Sequence, residues 1–208
     1  MRLLRKFFAN FEKPQGTMGR VVVAMMNKGH AGIASWGLSH LKLRGDEAVL
    51  DCGCGGGANI AGFLGLLPAG RVTGLDYSPV SVEKARAVNR AAIEAGCCEI
   101  VQGNVQELPF DDGGSDVATA FETVYFWKDI EHCFGEIHRV LKRGGVFMIT
   151  NETSGKTGAH EKWVKLVDGM SVYTGEELES LLTGAGFARV EVDEDLKADR
   201  LNVRAYKD

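Results

Sequence analysis

The chain has 208 residues, of which 45% are hydrophobic and 25% charged, a balance typical of one compact globular domain with modest additions. Its formal net charge of −4 gives no electrostatic footprint for nucleic acid, and no apolar run approaches the roughly 18 residues that cross a bilayer. Five cysteines without disulfide-framework spacing, and no secretory signal pattern, predict a reducing, cytoplasmic setting.

The first 45 residues lie outside the pattern that follows, and we expect them to form a helical lid over the ligand edge of the domain formed by residues 46–208. Met1–Phe11 places apolar side chains at helical spacing with basic residues between them. Such a helix packs on the domain or on a second subunit of a homodimer, and docking on a membrane surface is the alternative. His30 is a candidate ligand-facing residue of the lid, and a helix-capping or surface role is its alternative.

Strand and helix signals alternate from Glu47 onward, which predicts an α/β fold with a doubly wound, mostly parallel, seven-stranded sheet. The predicted parallel strands are Ala48–Asp51, Arg71–Asp76, Cys97–Gln102, Asp116–Phe121 and Val146–Asn151. The predicted helices are Ile60–Leu67, one capped by Ser78 and running to Glu94, Ile130–Leu141, and one that begins at Thr174. No helix separates Phe187–Val192 from Leu201–Tyr206, so these two strands should form a C-terminal antiparallel hairpin.

The glycine-rich loop after the first strand indicates a nucleotide-type site at a helix N-terminus. Gly53, Gly55 and Ala58 fit the dinucleotide pattern G-x-G-x-x-G/A. The same loop also fits acid-x-Gly-x-Gly-x-Gly, led by Asp51 and closed by Gly57. An acid at this place can bond nearby loop amides or face a cationic ligand, which a pyrophosphate is not. The loop therefore favours a cofactor with a positive end over a dinucleotide.

Three downstream segments agree with such a site. Asp76 ends the second strand about 20 residues past the loop, where an acid of a doubly wound fold bonds ribose hydroxyls. Gly103–Phe110 follows the third strand and offers polar residues for a base edge and an apolar lip. Glu136–Gly145 joins a helix to the fifth strand.

Together the segments LDCGCGGG, GLDYSP, GNVQELPF, SDVATAFETV and EIHRVLKRGG resemble the class I S-adenosylmethionine-dependent methyltransferases. Within that class the chain is similar to the small-molecule branch that includes the ubiquinone and menaquinone biosynthesis enzymes. The resemblance covers roughly residues 46–208, with the motifs in order at matching spacings. Asn104 stands where the family usually has Asp, and Arg143 stands where Pro is usual.

The resemblance implies S-adenosyl-L-methionine as the cofactor, S-adenosyl-L-homocysteine as the product and a small molecule as the methyl acceptor. The implied cofactor contacts are Asp51, Gly53 and Gly55 to the methionine part, Asp76 to ribose, Tyr77, Asn104 and Val105 to adenine, and Phe121 to the sulfonium region. Glu122 and Tyr125, with His30, are the catalytic or substrate-contact candidates. An exposed strand end for Glu122 and simple packing for Tyr125 are the alternatives.

The same residues are also compatible with two other functions. An NAD(P)-dependent oxidoreductase would use the loop as a dinucleotide site, and a non-catalytic binding module would keep the fold without the reaction. Cys52 and Cys54 sit in the loop already assigned to a cofactor, so we predict no metal site. In a methyltransferase, a general base is needed only if the acceptor atom starts out protonated.

Overall fold

The computed structural model of the protein describes residues 14–16, 19–23, 31–167 and 169–208. Two predictions fall outside these ranges, namely the amphipathic segment Met1–Phe11 and the candidate His30. A homodimer or membrane contact through Met1–Phe11 therefore stays a prediction. No helix among the described residues has the length and apolar character needed to cross a membrane.

The described residues form a seven-stranded sheet with the order β3-β2-β1-β4-β5-β7-β6. The strands are β1 Ala48–Cys52, β2 Arg71–Asp76, β3 Cys98–Gln102, β4 Ser115–Phe121, β5 Leu141–Asn151, β6 Arg189–Asp195 and β7 Arg200–Tyr206. The first five strands run parallel, whereas β7 is antiparallel to both β5 and β6. The predicted doubly wound sheet with a C-terminal antiparallel hairpin is confirmed.

Helices cover both faces of the sheet, as a mostly parallel sheet requires. They are α1 Ala31–Leu38, α2 Ala58–Leu66, α3 Pro79–Val88, α4 Arg90–Glu94, α5 Ile130–Val140, α6 Glu161–Leu166 and α7 Gly175–Gly184, with a 3₁₀ turn at Val124–Phe126. Residues 19–23 are also helical. Local signals start two of these helices: the Ser78 hydroxyl accepts the Ser81 N–H, and Thr174 forms a capping box with Glu177.

The helix expected to run unbroken from Ser78 to Glu94 is two helices that meet at Asn89. The Asn89 side-chain amide donates to the carbonyls of Gly57, 2.9 Å away, and Ala85, 3.0 Å away. This buried side chain ties the helix junction to the glycine loop. The break therefore serves a tertiary contact that the local pattern does not reveal.

Strand β5 begins at Leu141 rather than at the predicted Val146, and α5 correspondingly ends at Val140. Leu141 pairs with Ser115 across a register shift in β4. The Gly144 N–H donates to the Lys207 carbonyl, and the Lys207 N–H donates to the Gly145 carbonyl. Backbone hydrogen bonds to Lys207, just after β7, thus make Gly144 and Gly145 part of the strand. Helix α6 was not predicted at all.

The sheet separates two hydrophobic layers that hold the strand ends in place. One layer contains Phe134 of α5, Phe147 of β5 and Leu178 of α7. The other contains Phe63 of α2 and Met148 of β5. Because successive strand residues point to opposite faces, the neighbours Phe147 and Met148 enter different layers. With both faces covered, the edge of the sheet at the strands' carboxyl ends is the natural place for a ligand.

Candidate functional site

A cavity of about 960 Å³, here called the main cavity, lies at the carboxyl ends of β1, β2 and β4. Its wall includes Gly53, Gly55, Asp76, Tyr77, Asn104, Val105, Phe121 and Glu122. The structure therefore brings together eight of the predicted site residues around one space. Pro14, Val23, Ala34 and Leu38, all from the N-terminal 45 residues, also line it.

The glycine loop is shaped by the protein itself. Gly53 and Gly55 have φ values of 79° and 53°, in the left-handed region that favours glycine. The N–H groups of Gly53 and Cys54 both donate to the Leu75 carbonyl, at 2.8 and 2.9 Å. The Gly55 N–H donates to Oδ2 of Asp76 at 2.9 Å. These three N–H groups have partners in β2, so the loop is preorganised by the neighbouring strand.

Gly53→Ala should unfold more easily than Gly55→Ala, by about 1–3 kcal/mol. Both substitutions carry the cost of a left-handed backbone. A Cβ on Gly53 would also lie 2.5 Å from Cγ2 of Thr123, whereas a Cβ on Gly55 meets nothing within 4 Å. Urea denaturation of the two variants measures the difference, and equal losses would contradict a close approach between this loop and Thr123, two residues after β4.

Asp76 links the loop to the start of α3. Its Oδ2 accepts the Gly55 N–H, and its Oδ1 accepts the Ser78 N–H at 2.8 Å. Burial raises the pKa of Asp76, and these two N–H groups act against that increase. Each carboxylate oxygen can accept more than one hydrogen bond, so Asp76 keeps capacity for a ligand hydroxyl while it holds the loop.

Asp51 is placed differently from what the sequence suggests. Its Oδ1 accepts a hydrogen bond from the Thr119 hydroxyl at 2.8 Å. The loop N–H that bonds to a carboxylate, that of Gly55, donates to Asp76 and not to Asp51. Asp51 Oδ2 is buried without a partner among the described residues. Burial, with the Asp76 charge nearby, raises the pKa of Asp51 to about 7. Asp51 does not line the main cavity, so its carboxyl group is not in direct contact with that space.

The opposite end of the main cavity is formed by residues after β2 and β3. Tyr77 is 36% exposed, and Val105 is buried. The Asn104 side chain bonds to Gln106 through both of its polar atoms, accepting the backbone N–H at 3.2 Å and donating to Oε1 at 3.0 Å. The amide that replaces the family's usual Asp is therefore fixed by its own turn.

An ion pair on α5 bonds to the backbone of the segment after Asn104, at Leu108 and Phe110. The sequence analysis did not predict this role. Glu136 and Arg139 pair at 2.7 Å. Glu136 Oε2 accepts the Leu108 N–H at 2.8 Å, and Arg139 donates to the carbonyls of Leu108 and Phe110. The spacing of Glu136 and Arg139, three residues apart on a predicted helix, indicates that they can pair with each other. It does not indicate which backbone groups they bind.

Glu122 follows β4 at the boundary between the main cavity and a smaller one. Its φ of 59° is unusual for a residue with a side chain. Oε1 accepts hydrogen bonds from the Glu152 N–H and from the Tyr125 hydroxyl, the latter at 3.3 Å. Removal from solvent, together with the Glu152 charge, raises the pKa of Glu122 to about 8. The side chain can therefore gain or lose a proton near neutral pH.

Tyr125 lines the smaller cavity but not the main one. Burial and the neighbouring Glu122 raise the pKa of its phenol well above the usual value. Tyr125 thus stays protonated and donates its hydrogen bond to Glu122. His30, the third candidate of this group, lies outside the described residues.

Gly37 of α1 packs against Phe121 of the cavity wall, a contact that the sequence did not reveal. A Cβ at Gly37 would lie 2.5 Å from the Thr150 hydroxyl and 2.9 Å from Phe121. Its missing side chain lets α1 pack directly over the ends of β4 and β5. These contacts depend on Phe121 and Thr150, which lie more than eighty positions away along the chain, so no local pattern predicts them.

The strand order, the glycine loop after β1 and the acid at the end of β2 define the fold of the class I methyltransferases. In agreement, residues 50–149 match the family described as "Methyltransferase domain". This match and the fold make residues 50–149 similar to the S-adenosylmethionine-dependent methyltransferases. Solved structures agree on the fold: an O-methyltransferase family protein from Burkholderia thailandensis superposes with a TM-score of 0.79 at 18% identity, over 93% of this chain and 60% of that one. A methyltransferase from Aquifex aeolicus gives a TM-score of 0.73 at 20% identity, over 89% and 97%.

Curated relatives include enzymes with two kinds of acceptor atom. A 24-methylenesterol C-methyltransferase from Arabidopsis thaliana is 32% identical over 108 residues, which are 52% of this chain and 30% of the relative. An O-methyltransferase from Aspergillus sclerotiorum is 30% identical over 152 residues, 70% of this chain and 56% of the relative. The chain thus spans about a third to just over half the length of these two relatives.

Proposed function

We propose that this protein transfers a methyl group from S-adenosyl-L-methionine to a small-molecule acceptor by in-line displacement. The observation that carries the proposal is Asp76, which holds the glycine loop and the start of α3 while facing the main cavity. That arrangement suits a ligand with a ribose between two different ends. The family match and the names of the relatives support the same reaction.

The residues present fit this cofactor. At Gly55 a ligand can come close to the loop backbone, because no protein atom lies within 4 Å of the place where a Cβ would stand. The Oδ2 atom of Asp51, which has no hydrogen-bond partner among the described residues, favours a cationic group nearby. We assign Asp51, Gly53 and Gly55 to the methionine part, Asp76 to the ribose, Tyr77, Asn104 and Val105 to the adenine, and Phe121 to the sulfonium region. When bound, S-adenosyl-L-methionine supplies a methyl group on a positively charged sulfur.

The remaining chemistry falls to positioning and proton transfer. Glu122 stands at the main cavity and can take the proton of a hydroxyl, thiol or carbon acid in its carboxylate form. Tyr125 keeps the Glu122 carboxyl in place through its hydroxyl. Phe121 and the described N-terminal residues that line the main cavity, among them Val23, Ala34 and Leu38, exclude water from the reacting atoms.

The lid assignment draws on two contacts of the N-terminal segment. The Ser78 hydroxyl donates to the Pro14 carbonyl at 2.8 Å, and Arg20 pairs with Glu83 of α3 at 3.0 Å. Pro14 also lines the main cavity, and Ser78 directly follows Asp76 and Tyr77 of its wall. We also propose a cytoplasmic location, because all five cysteines are free thiols.

A methyl-transfer assay tests the proposal. The protein is incubated with S-adenosyl-L-methionine labelled in its methyl group and with a library of small hydroxyl, thiol, amine and carbon-acid compounds. We expect label in at least one compound. Binding of S-adenosyl-L-homocysteine without transfer to any compound would favour the non-catalytic binding module, and reduction of NAD(P) by a library compound would favour the oxidoreductase.

A further inference from the structure

A second cavity of about 240 Å³ adjoins the main one, and Glu122 and Phe126 line both. Complete small-molecule sites usually measure about 300–1,000 Å³. The second cavity is therefore of a size for one end of a molecule whose remainder lies in the main cavity. Most of its other wall comes from the chain between β5 and α7, which carries no motif of its own, and Tyr125 and Asp199 complete it.

Two kinds of side chain dominate the wall of the second cavity. Tyr125, Phe126 and Trp163 contribute aromatic rings, and Glu122 and Glu152 contribute carboxyl groups. The Glu152 backbone N–H donates to Oε1 of Glu122, so the two residues are in contact, and the Glu152 charge raises the pKa of Glu122. Aromatic faces together with carboxylates are complementary to a cation.

The other charged groups of the wall do not reverse this balance. Asp199 accepts hydrogen bonds from the hydroxyls of Ser154 and Thr157, both at 2.7 Å, and these contacts lower the pKa of Asp199. Lys162 lies with its ammonium 5.4 Å from the centre of the Trp163 ring. His160 also lines the cavity. Three carboxyl groups thus face one lysine and one histidine.

We propose that the second cavity binds a protonated amino group of the methyl acceptor, between the carboxyl groups of Glu122 and Glu152 and the rings of Tyr125, Phe126 and Trp163. This inference rests on the proposed function, because it names the acceptor class for the same site. Position alone distinguishes the amino group from the methylated atom: the cation sits in the second cavity, and the remainder of the acceptor extends past Glu122 into the main one.

Binding of an ammonium group should release a proton from Glu122. Glu122 is mostly protonated at pH 7, and a cation beside it favours the carboxylate, so the proton passes to the buffer. The groups around Glu122 are Glu152 and Tyr125 in contact, Asp199, His160 and Lys162 across the second cavity, and Asp76 and Lys128 in the wall of the main cavity. Glu122 is the group among them whose pKa lies near 8.

The test uses three probes of similar shape and different charge: phenethylammonium, 2-phenylethanol and 3-phenylpropionate. Each is titrated by calorimetry at pH 7 into the full chain saturated with S-adenosyl-L-homocysteine, in phosphate and in MOPS buffer, neither of which is a primary ammonium compound. We expect phenethylammonium to bind about tenfold more tightly than 2-phenylethanol. The difference in heat between the two buffers should report proton release for the ammonium probe alone.

Substitutions place the binding in the second cavity. Glu122→Gln should weaken phenethylammonium about tenfold and abolish proton release, and Glu152→Gln should weaken it about threefold. Glu161→Gln is the matched control, because this exposed acid of α6 lines neither cavity and pairs with Lys165. The control should bind the ammonium probe like the wild-type protein.

Three results would overturn the inference: equal binding of 2-phenylethanol, tighter binding of 3-phenylpropionate, or equal weakening by Glu161→Gln and Glu152→Gln. Each would appear with S-adenosyl-L-homocysteine still bound, and the proposed function would stand. Failure of S-adenosyl-L-homocysteine itself to bind would instead count against the proposed function.

Discussion

Asp76→Ala should weaken the binding of S-adenosyl-L-homocysteine by about 1–3 kcal/mol, or roughly 5- to 150-fold. The substitution removes the proposed acceptor for the ribose hydroxyls. It also leaves the N–H groups of Gly55 and Ser78 without the carboxylate oxygens that they bond at 2.9 and 2.8 Å. The loop and the start of α3 then lose their common anchor, so the effect exceeds that of one ligand contact.

Calorimetric titration of the wild-type protein, Asp76→Ala and Asp76→Asn measures this effect. Asp76→Asn keeps one acceptor oxygen, so its affinity should fall between the other two. Asp111→Ala serves as a control, because Asp111 is exposed and outside the wall of the main cavity. Wild-type affinity in Asp76→Ala would mean that the ribose is held elsewhere.

Glu122→Gln should lower the rate of methyl transfer by about 100-fold or more when the acceptor atom itself carries a proton, because this is the usual contribution of a general base. Glutamine keeps the shape of the side chain and an oxygen for the Tyr125 hydroxyl, but it cannot accept a proton. The exposed acid of α7, Glu179, gives the control Glu179→Gln, which should retain wild-type activity. A wild-type rate in Glu122→Gln would remove Glu122 from the reaction.

The pH dependence follows from the raised pKa of Glu122. In the wild-type protein kcat/KM should rise with pH and be half-maximal near pH 8, because the carboxylate is the active form. Stability should change in the opposite direction. The folded protein holds the Glu122 proton up to about pH 8 and the unfolded chain loses it near its ordinary value of 4.5, so the contribution of Glu122 to stability declines between these limits.

Glu122→Gln removes that decline, so the variant should resist urea at pH 8 at least as well as the wild-type protein while losing activity. Unfolding at pH 5 and pH 8, beside the rate profile, separates a chemical role from a structural one. A variant that is both unstable at pH 8 and inactive would instead make Glu122 a structural residue.

Local signals were sufficient for most of the fold. The apolar strands, the Ser78 cap, the acids after Thr174 and the absence of a helix before Leu201 each depend on neighbouring residues, and each prediction is confirmed. The misjudged boundaries depend on distant partners. Asn89 interrupts a helix to reach Gly57, and Gly144 joins β5 through Lys207 at the other end of the chain.

The candidate site divides in the same way. The carboxyl ends of parallel strands meet at one edge, so Asp76, Asn104, Phe121 and Glu122 could be brought together from the topology alone. The partners of those residues could not. Which acid meets the loop amide, Asp51 or Asp76, depends on side-chain directions in the folded sheet, as does the support that Arg139 gives to the turn at Leu108.

The most direct test of the central claim is a pair of separate calorimetric titrations of the wild-type protein, one with S-adenosyl-L-homocysteine and one with NAD. We expect saturable binding of S-adenosyl-L-homocysteine to a single site and no binding of NAD. Binding of NAD alone would contradict the assignment of the glycine loop and Asp76 to a methyltransferase cofactor.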